Sequence, residues 1–184
     1  MNIRKWVAGL GAFAVTSVGF AFLGAPAQAA DTSTTFTLSA AGGLTVSAPG
    51  SASITGGATD VGTLSGSLGT TTVSDLRGAL AGSWTATVSS TDFTTGTQTA
   101  NETIAKANVA YWSGAATASS GTAVRVPGQV DALAKQPLSS SRTAFAATGT
   151  VGNNSTSWAP TLVVTVPAQA VVGTYSGTVT HSVA

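Results

Sequence analysis

From Ala30 onward the chain holds 30 threonines and 21 serines in 155 residues, set among alanine, valine and a few aromatic side chains. No other feature constrains the fold as much. Threonine and valine branch at Cβ, lose side-chain freedom in a helix and pack well on a pleated surface, so the chain is biased toward strands. Alternation with a period of two then assigns faces. In the C-terminal segment Tyr175, Gly177, Val179, His181 and Val183 fall on one side, and Thr174, Ser176, Thr178, Thr180 and Ser182 on the other. Trp84, Ala86 and Val88 alternate with Thr85, Thr87 and Ser89. Ala105, Ala107, Val109 and Tyr111 alternate with Ile104, Lys106, Asn108, Ala110 and Trp112.

Further strands are predicted at Thr35 to Leu38, Leu44 to Ser47, Ser51 to Ile54, Val73 to Arg77, Thr143 to Ala147 and Thr161 to Val166. Gly42-Gly43, Gly56-Gly57 and Gly152-Asn153-Asn154 punctuate them. Ser113 to Gly121 lacks an apolar pattern and reads as a loop, and Val130 to Lys135 as one helical turn. The expected fold is all-β, an immunoglobulin-like β-sandwich of about 9–11 short strands.

Arg4 and Lys5 precede an apolar run from Trp6 to Leu23, and Ala27-Gln28-Ala29 matches the small-x-small rule for signal peptidase. Residues 1–29 therefore read as a cleavable secretory signal peptide ahead of a single domain over 30–184. The run approaches the roughly 20 residues that span a bilayer. Gly9, Gly11, Gly19 and Gly24 weaken such a helix, however, and no stop-transfer charge cluster follows. A secreted protein is expected, with no membrane attachment after cleavage.

Only 7% of the chain is charged, against roughly a quarter in an average protein. Loss of Arg4 and Lys5 leaves five basic and six acidic residues, a net charge of −1. Five scattered cations cannot form the stripe that neutralises a run of phosphates, which excludes nucleic acid as a partner. The absence of cysteine excludes disulfides, thiolate metal sites and thiol nucleophiles. His181 has no second histidine with which to build a metal site, so no metal or cofactor is expected. Glu102 and the five aspartates are dispersed, and no Gly-x-Ser-x-Gly occurs. Neither a glycosidase pair nor a hydrolase triad is supported, and the protein reads as non-catalytic.

Two segments carry a family resemblance. The first is Val73-Ser74-Asp75-Leu76-Arg77-Gly78, followed by Gly82-Ser83-Trp84-Thr85-Ala86-Thr87-Val88 and Asp92-Phe93. The second is Leu162 to Val166, Pro167, then Gly173-Thr174-Tyr175 running on to His181-Ser182-Val183. Together they resemble the WxL-domain proteins of Gram-positive bacteria. The signature itself diverges, with Trp84-Thr85-Ala86 and His181-Ser182-Val183 where the family has Trp-x-Leu. The resemblance implies a β-rich secreted protein held non-covalently on the cell wall, with peptidoglycan as ligand.

Five residues are candidates for ligand contact. Trp84 is the one the family nominates, although its parity places it with the core. Asp75 and Arg77 lie two apart on a strand and point the same way, either to a ligand or to each other across the Gly78 turn. Trp112 is expected on the outward face with Lys106 and Asn108, where an indole stacks on a sugar ring while polar neighbours bond its hydroxyls. It reads equally as an edge cap under the 113–121 loop. Trp158, in Ser157-Trp158-Ala159-Pro160, is either exposed at a loop junction or closes one end of the sandwich. His181 reads as a packed, hydrogen-bonded core residue. The leading expectation is wall-glycan binding. The alternative is an assembly protein that pairs its strand edges, above all the long C-terminal strand, with itself or with another secreted surface protein.

Overall fold

The computed structural model describes residues 35–39, 42–55 and 62–184. The leader expected over 1–29 lies outside the described residues. The chain divides into two units, Met1–Thr37 and Leu38–Ala184, and every described strand belongs to the second. In chain order these are β1 (Leu44–Ser47), β2 (Thr63–Ser67), β3 (Thr71–Asp75), β4 (Leu80–Ser90), β5 (Phe93–Thr94) and β6 (Thr103–Ile104). Then come β7 (Val109–Trp112), β8 (Ala116–Pro127), β9 (Gln136–Pro137), β10 (Arg142–Trp158), β11 (Thr161–Thr165) and β12 (Val179–Val183). Helical structure among the described residues is confined to 3-10 turns at Ala100–Glu102, Lys106–Asn108 and Ala132–Ala134. None of these is long and apolar enough to cross a membrane.

β10, 17 residues long, organises the larger sheet. β8 pairs along one edge. Along the other run β4, opposite Arg142 through Val151, and then β3, opposite Asn154 through Trp158. β3 and β4 thus form one long strand interrupted at residues 76–79. Outside them lie β1, paired to β3, and β12, paired to β4. The smaller sheet runs β2-β11-β7-β9, and β5 and β6 make a separate ribbon. All pairings are antiparallel, so the expected all-β sandwich is the fold observed.

The core lies between the sheets. Val73, Trp84, Ala86, Val88, Phe145, Ala147 and Trp158 of the larger sheet meet Val109, Tyr111, Leu162 and Val164 of the smaller. Hydrophobic burial is the main favourable term, at about 25 cal/mol per Å² of apolar surface. The parity expected for Trp84, Ala86 and Val88 holds, since all three are buried.

Five expectations about elements are corrected. Ser113 to Gly121 is not a loop, because from Ala116 it belongs to β8. The first seven residues of β8 are exposed on both faces, so burial imposes no alternation there, and backbone pairing to β10 holds the strand. Lys106–Asn108 is a 3-10 turn, so β7 starts only at Val109. The C-terminal strand starts at Val179 rather than Thr174. Thr35 to Leu38 and Ser51 to Ile54 are in no strand.

Candidate functional site

Three of the five candidates, Asp75, Arg77 and Trp84, come together in one polar relay. β3 presents Thr71, Val73 and Asp75 inward, which buries the Asp75 carboxylate at the strand end. An unpaired buried charge costs several kcal/mol. The Arg77 guanidinium compensates with two parallel bonds, Nε to Oδ1 at 2.8 Å and Nη2 to Oδ2 at 3.0 Å, and the Arg77 amide donates to Oδ1 at 3.1 Å. Asn154 Nδ2 donates to Asp75 Oδ2 at 3.2 Å, and Asn154 Oδ1 accepts from Trp84 Nε1 at 3.1 Å. The Arg77 hydrogen bond, aided by Asn154, holds the Asp75 carboxyl down to about 2. The same bond raises Arg77. The relay is a brace inside the sheet, with only the Arg77 end reaching solvent.

Trp158 also leaves the list of surface residues. It is fully buried, stacked on Phe145 with centroids 5.1 Å apart, and it closes the sandwich from inside. Its Nε1 donates to the Tyr111 hydroxyl at 3.0 Å, and that oxygen lies 3.2 Å from His181 Nε2. The Tyr111 hydroxyl thus links the buried indole to the imidazole, accepting from Trp158 and sharing a hydrogen bond with His181 Nε2. Desolvation lowers His181 to about 4, which favours the neutral imidazole, and raises Tyr111. His181 is therefore the packed, bonded residue that its parity predicts.

Each described carboxylate is engaged with backbone amides. Asp75 takes the Arg77 amide, Asp92 the Lys106 amide at 2.8 Å, and Asp131 the amides of Leu133 and Ala134. Glu102 Oε2 accepts from the amides and hydroxyls of both Thr97 and Thr99. Those bonds, Thr99 first, lower its pKa. No group of three potential metal ligands occurs among the described residues.

Trp112 stands apart from all of these. β11 lies between β2 and β7, and register aligns Trp112 with Thr161, and Ala110 with Val163 and Ser65. These side chains, with Thr63 and Thr165, line a shallow groove of about 350 Å³ on the outer face of the smaller sheet. The 3-10 turn at Ala132–Ala134, capped by Asp131, carries Lys135 to its wall. The expected neighbours Lys106 and Asn108 are displaced by their own turn. The hydroxyls come instead from strands far away in the chain. Thr63, Ser65, Thr161 and Lys135 were invisible to single-strand periodicity, because only sheet order brings them beside Trp112.

Comparison with known protein families, characterised proteins and solved structures finds no match. The groove is therefore read from its own chemistry: a half-buried indole fringed by four hydroxyls and one ammonium group.

Proposed function

We propose that this is a non-catalytic, secreted cell-surface protein that binds the Gram-positive cell wall non-covalently, with peptidoglycan glycan seated in the Trp112 groove. The observation that carries this reading is the Trp112 platform with Thr63, Ser65, Thr161 and Thr165 around it. An aromatic face gives a sugar ring apolar contact, and flanking hydroxyls replace the hydrogen bonds its own hydroxyls lose on leaving water. The WxL resemblance supports the same ligand. Trp84, Asp75 and Trp158 are not part of this site, since their contacts are internal.

The test is co-sedimentation of purified protein with isolated wall material. Binding is expected to change little between low and high salt, because Lys135 is the only charged side chain in the groove among the described residues. Trp112→Ala is expected to weaken it by about tenfold or more. Failure of the unaltered protein to pellet at any salt concentration overturns the reading.

Assembly through strand edges is the second reading. The twelve-residue β8, paired only to β10 among the described residues, favours it. Three features shorten the flat part of that edge: the left-handed Gly121 (φ +68), the inward-turned Arg125 bonded to Thr156 Oγ1, and Pro127.

A further inference from the structure

We propose that the Trp112 groove selects an acidic saccharide, with Lys135 holding the carboxylate of a sugar whose ring lies on the indole. This deepens the glycan reading above and rests on it.

Sheet register brings the two side chains together. β7 and β9 run antiparallel, with Ala110 opposite Pro137 and Tyr111 opposite Gln136. One further step of the same register sets Lys135 opposite Trp112. Tyr111 is buried between Ala110 and Trp112, which turn outward, and Lys135 lines the groove with both of them. Side chains opposed in this way lie about 4.5–5.5 Å apart at Cβ. The ammonium group, on its flexible four-carbon stem, can then meet a substituent on a stacked sugar ring. On the other flank β11 sets Thr161 opposite Trp112. The indole therefore stands between a hydroxyl and a positive charge.

The segment that carries Lys135 is held in place. Ser113 Oγ, one residue past Trp112, donates to the Gln129 carbonyl at 2.9 Å and accepts from the Gln129 amide at 3.2 Å. Asp131 Oδ1 then accepts from the amides of Leu133 and Ala134, which fixes the turn leading into Lys135. With the backbone ordered beforehand, binding immobilises little more than the lysine side chain.

The charge of Lys135 has no internal use. Arg77 is paired with Asp75, Arg125 is bonded to Thr156 and to carbonyls of β8, and Arg142 donates to the Pro137 carbonyl. Lys135 Nζ reaches only the Ala132 carbonyl, at 3.4 Å, and no carboxylate pairs with it among the described residues. A ligand complements such a site by bringing one anionic group beside its stacking face. A phosphodiester polymer calls for a row of cations, whereas one ammonium group matches one carboxylate. Among wall sugars, N-acetylmuramic acid with its lactyl carboxylate unsubstituted has this form.

Titration followed by NMR at the Trp112 indole N–H tests the proposal, with N-acetylmuramic acid, its carboxamide and N-acetylglucosamine as probes. All are expected to shift that resonance. The acid is expected to bind about threefold more tightly than the carboxamide at low salt, the scale of one exposed ion pair, with the margin closing as salt rises. Lys135 is exposed, so its replacement leaves the fold in place. Lys135→Gln is expected to bring the acid down to the carboxamide's affinity without changing the latter, and Lys135→Arg to keep the margin. Equal binding of acid and carboxamide, or a margin that survives Lys135→Gln, would overturn the proposal and leave the glycan reading standing. Tighter binding of glycerol phosphate than of the acid would also overturn it, in favour of a phosphate ligand. No shift at Trp112 with any sugar would overturn both readings.

Discussion

The indole nitrogen of Trp84 donates to Asn154 Oδ1 at 3.1 Å across 70 residues of chain. Asn154 stands where β10 leaves β4 and begins to pair with β3, so the bond spans the break between the two halves of the composite strand. Its other amide atom reaches Asp75 on the far side of the break. Backbone pairing is interrupted there, and the side chains of Trp84, Asn154, Asp75 and Arg77 take over the work of joining the halves.

Replacing Asn154 with alanine leaves the Trp84 N–H without its acceptor and removes one donor from Asp75. Each orphaned buried group costs about 1–3 kcal/mol. Asn154→Ala is therefore expected to lower unfolding free energy by about 2–4 kcal/mol in a urea titration. A change under about 0.5 kcal/mol would mean that the relay does not brace the sheet.

Asp75 ties stability to pH at the acid end. Its folded value of about 2 lies below the ordinary 3.8. The unfolded state therefore takes up the proton first, and stability is present above pH 3.8 and lost as pH falls from there toward 2. The whole term is about 2 kcal/mol. Asp75→Asn is expected to remove this limb, and Arg77→Gln to shrink it by bringing the folded value back toward 3.8, both read from urea midpoints between pH 2 and 5.

His181 acts in a separate window. Burial lowers its folded value from 6.5 to about 4, so the unfolded chain binds a proton that the folded one resists. Stability is complete above pH 6.5 and declines as pH falls toward 4, by about 2 kcal/mol after discounting for the solvent at its edge. His181→Gln is expected to remove this decline while leaving the lower Asp75 limb in place. A wild-type midpoint that stays level from pH 6.5 to 4 would contradict the assignment.

Gly121 provides a backbone test. It has φ +68, and a Cβ there would collide with the Asn153 carbonyl oxygen. Gly121→Ala is expected to cost about 2 kcal/mol or more. Gly43, with open space where a Cβ would sit, is the control, and Gly43→Ala is expected to stay within about 0.5 kcal/mol.

Strand content and the inward parity of Trp84 and His181 were legible because period-two alternation is local and each residue carries its own share of the signal. β8 was not legible, because a strand with both faces in solvent carries no burial pattern. The candidate site was half legible. Trp112 was placed outward by parity, but its neighbours come from β2 and β11, and nothing within β7 encodes which strands flank it. Trp158 lay at a junction where parity is undefined, and the structure resolves it by stacking the ring on Phe145.

The sequence by itself determined an all-β chain of very low charge, rich in hydroxyls, since side-chain chemistry and alternation are properties of neighbouring residues. The tertiary structure alone decided which tryptophan among the described residues meets solvent, and that Asp75 answers to Asn154 across 79 residues. Those outcomes depend on strand order and register. Register in turn is shifted by left-handed glycines such as Gly121, Gly149 and Gly152, whose effect appears only when two distant strands are laid together.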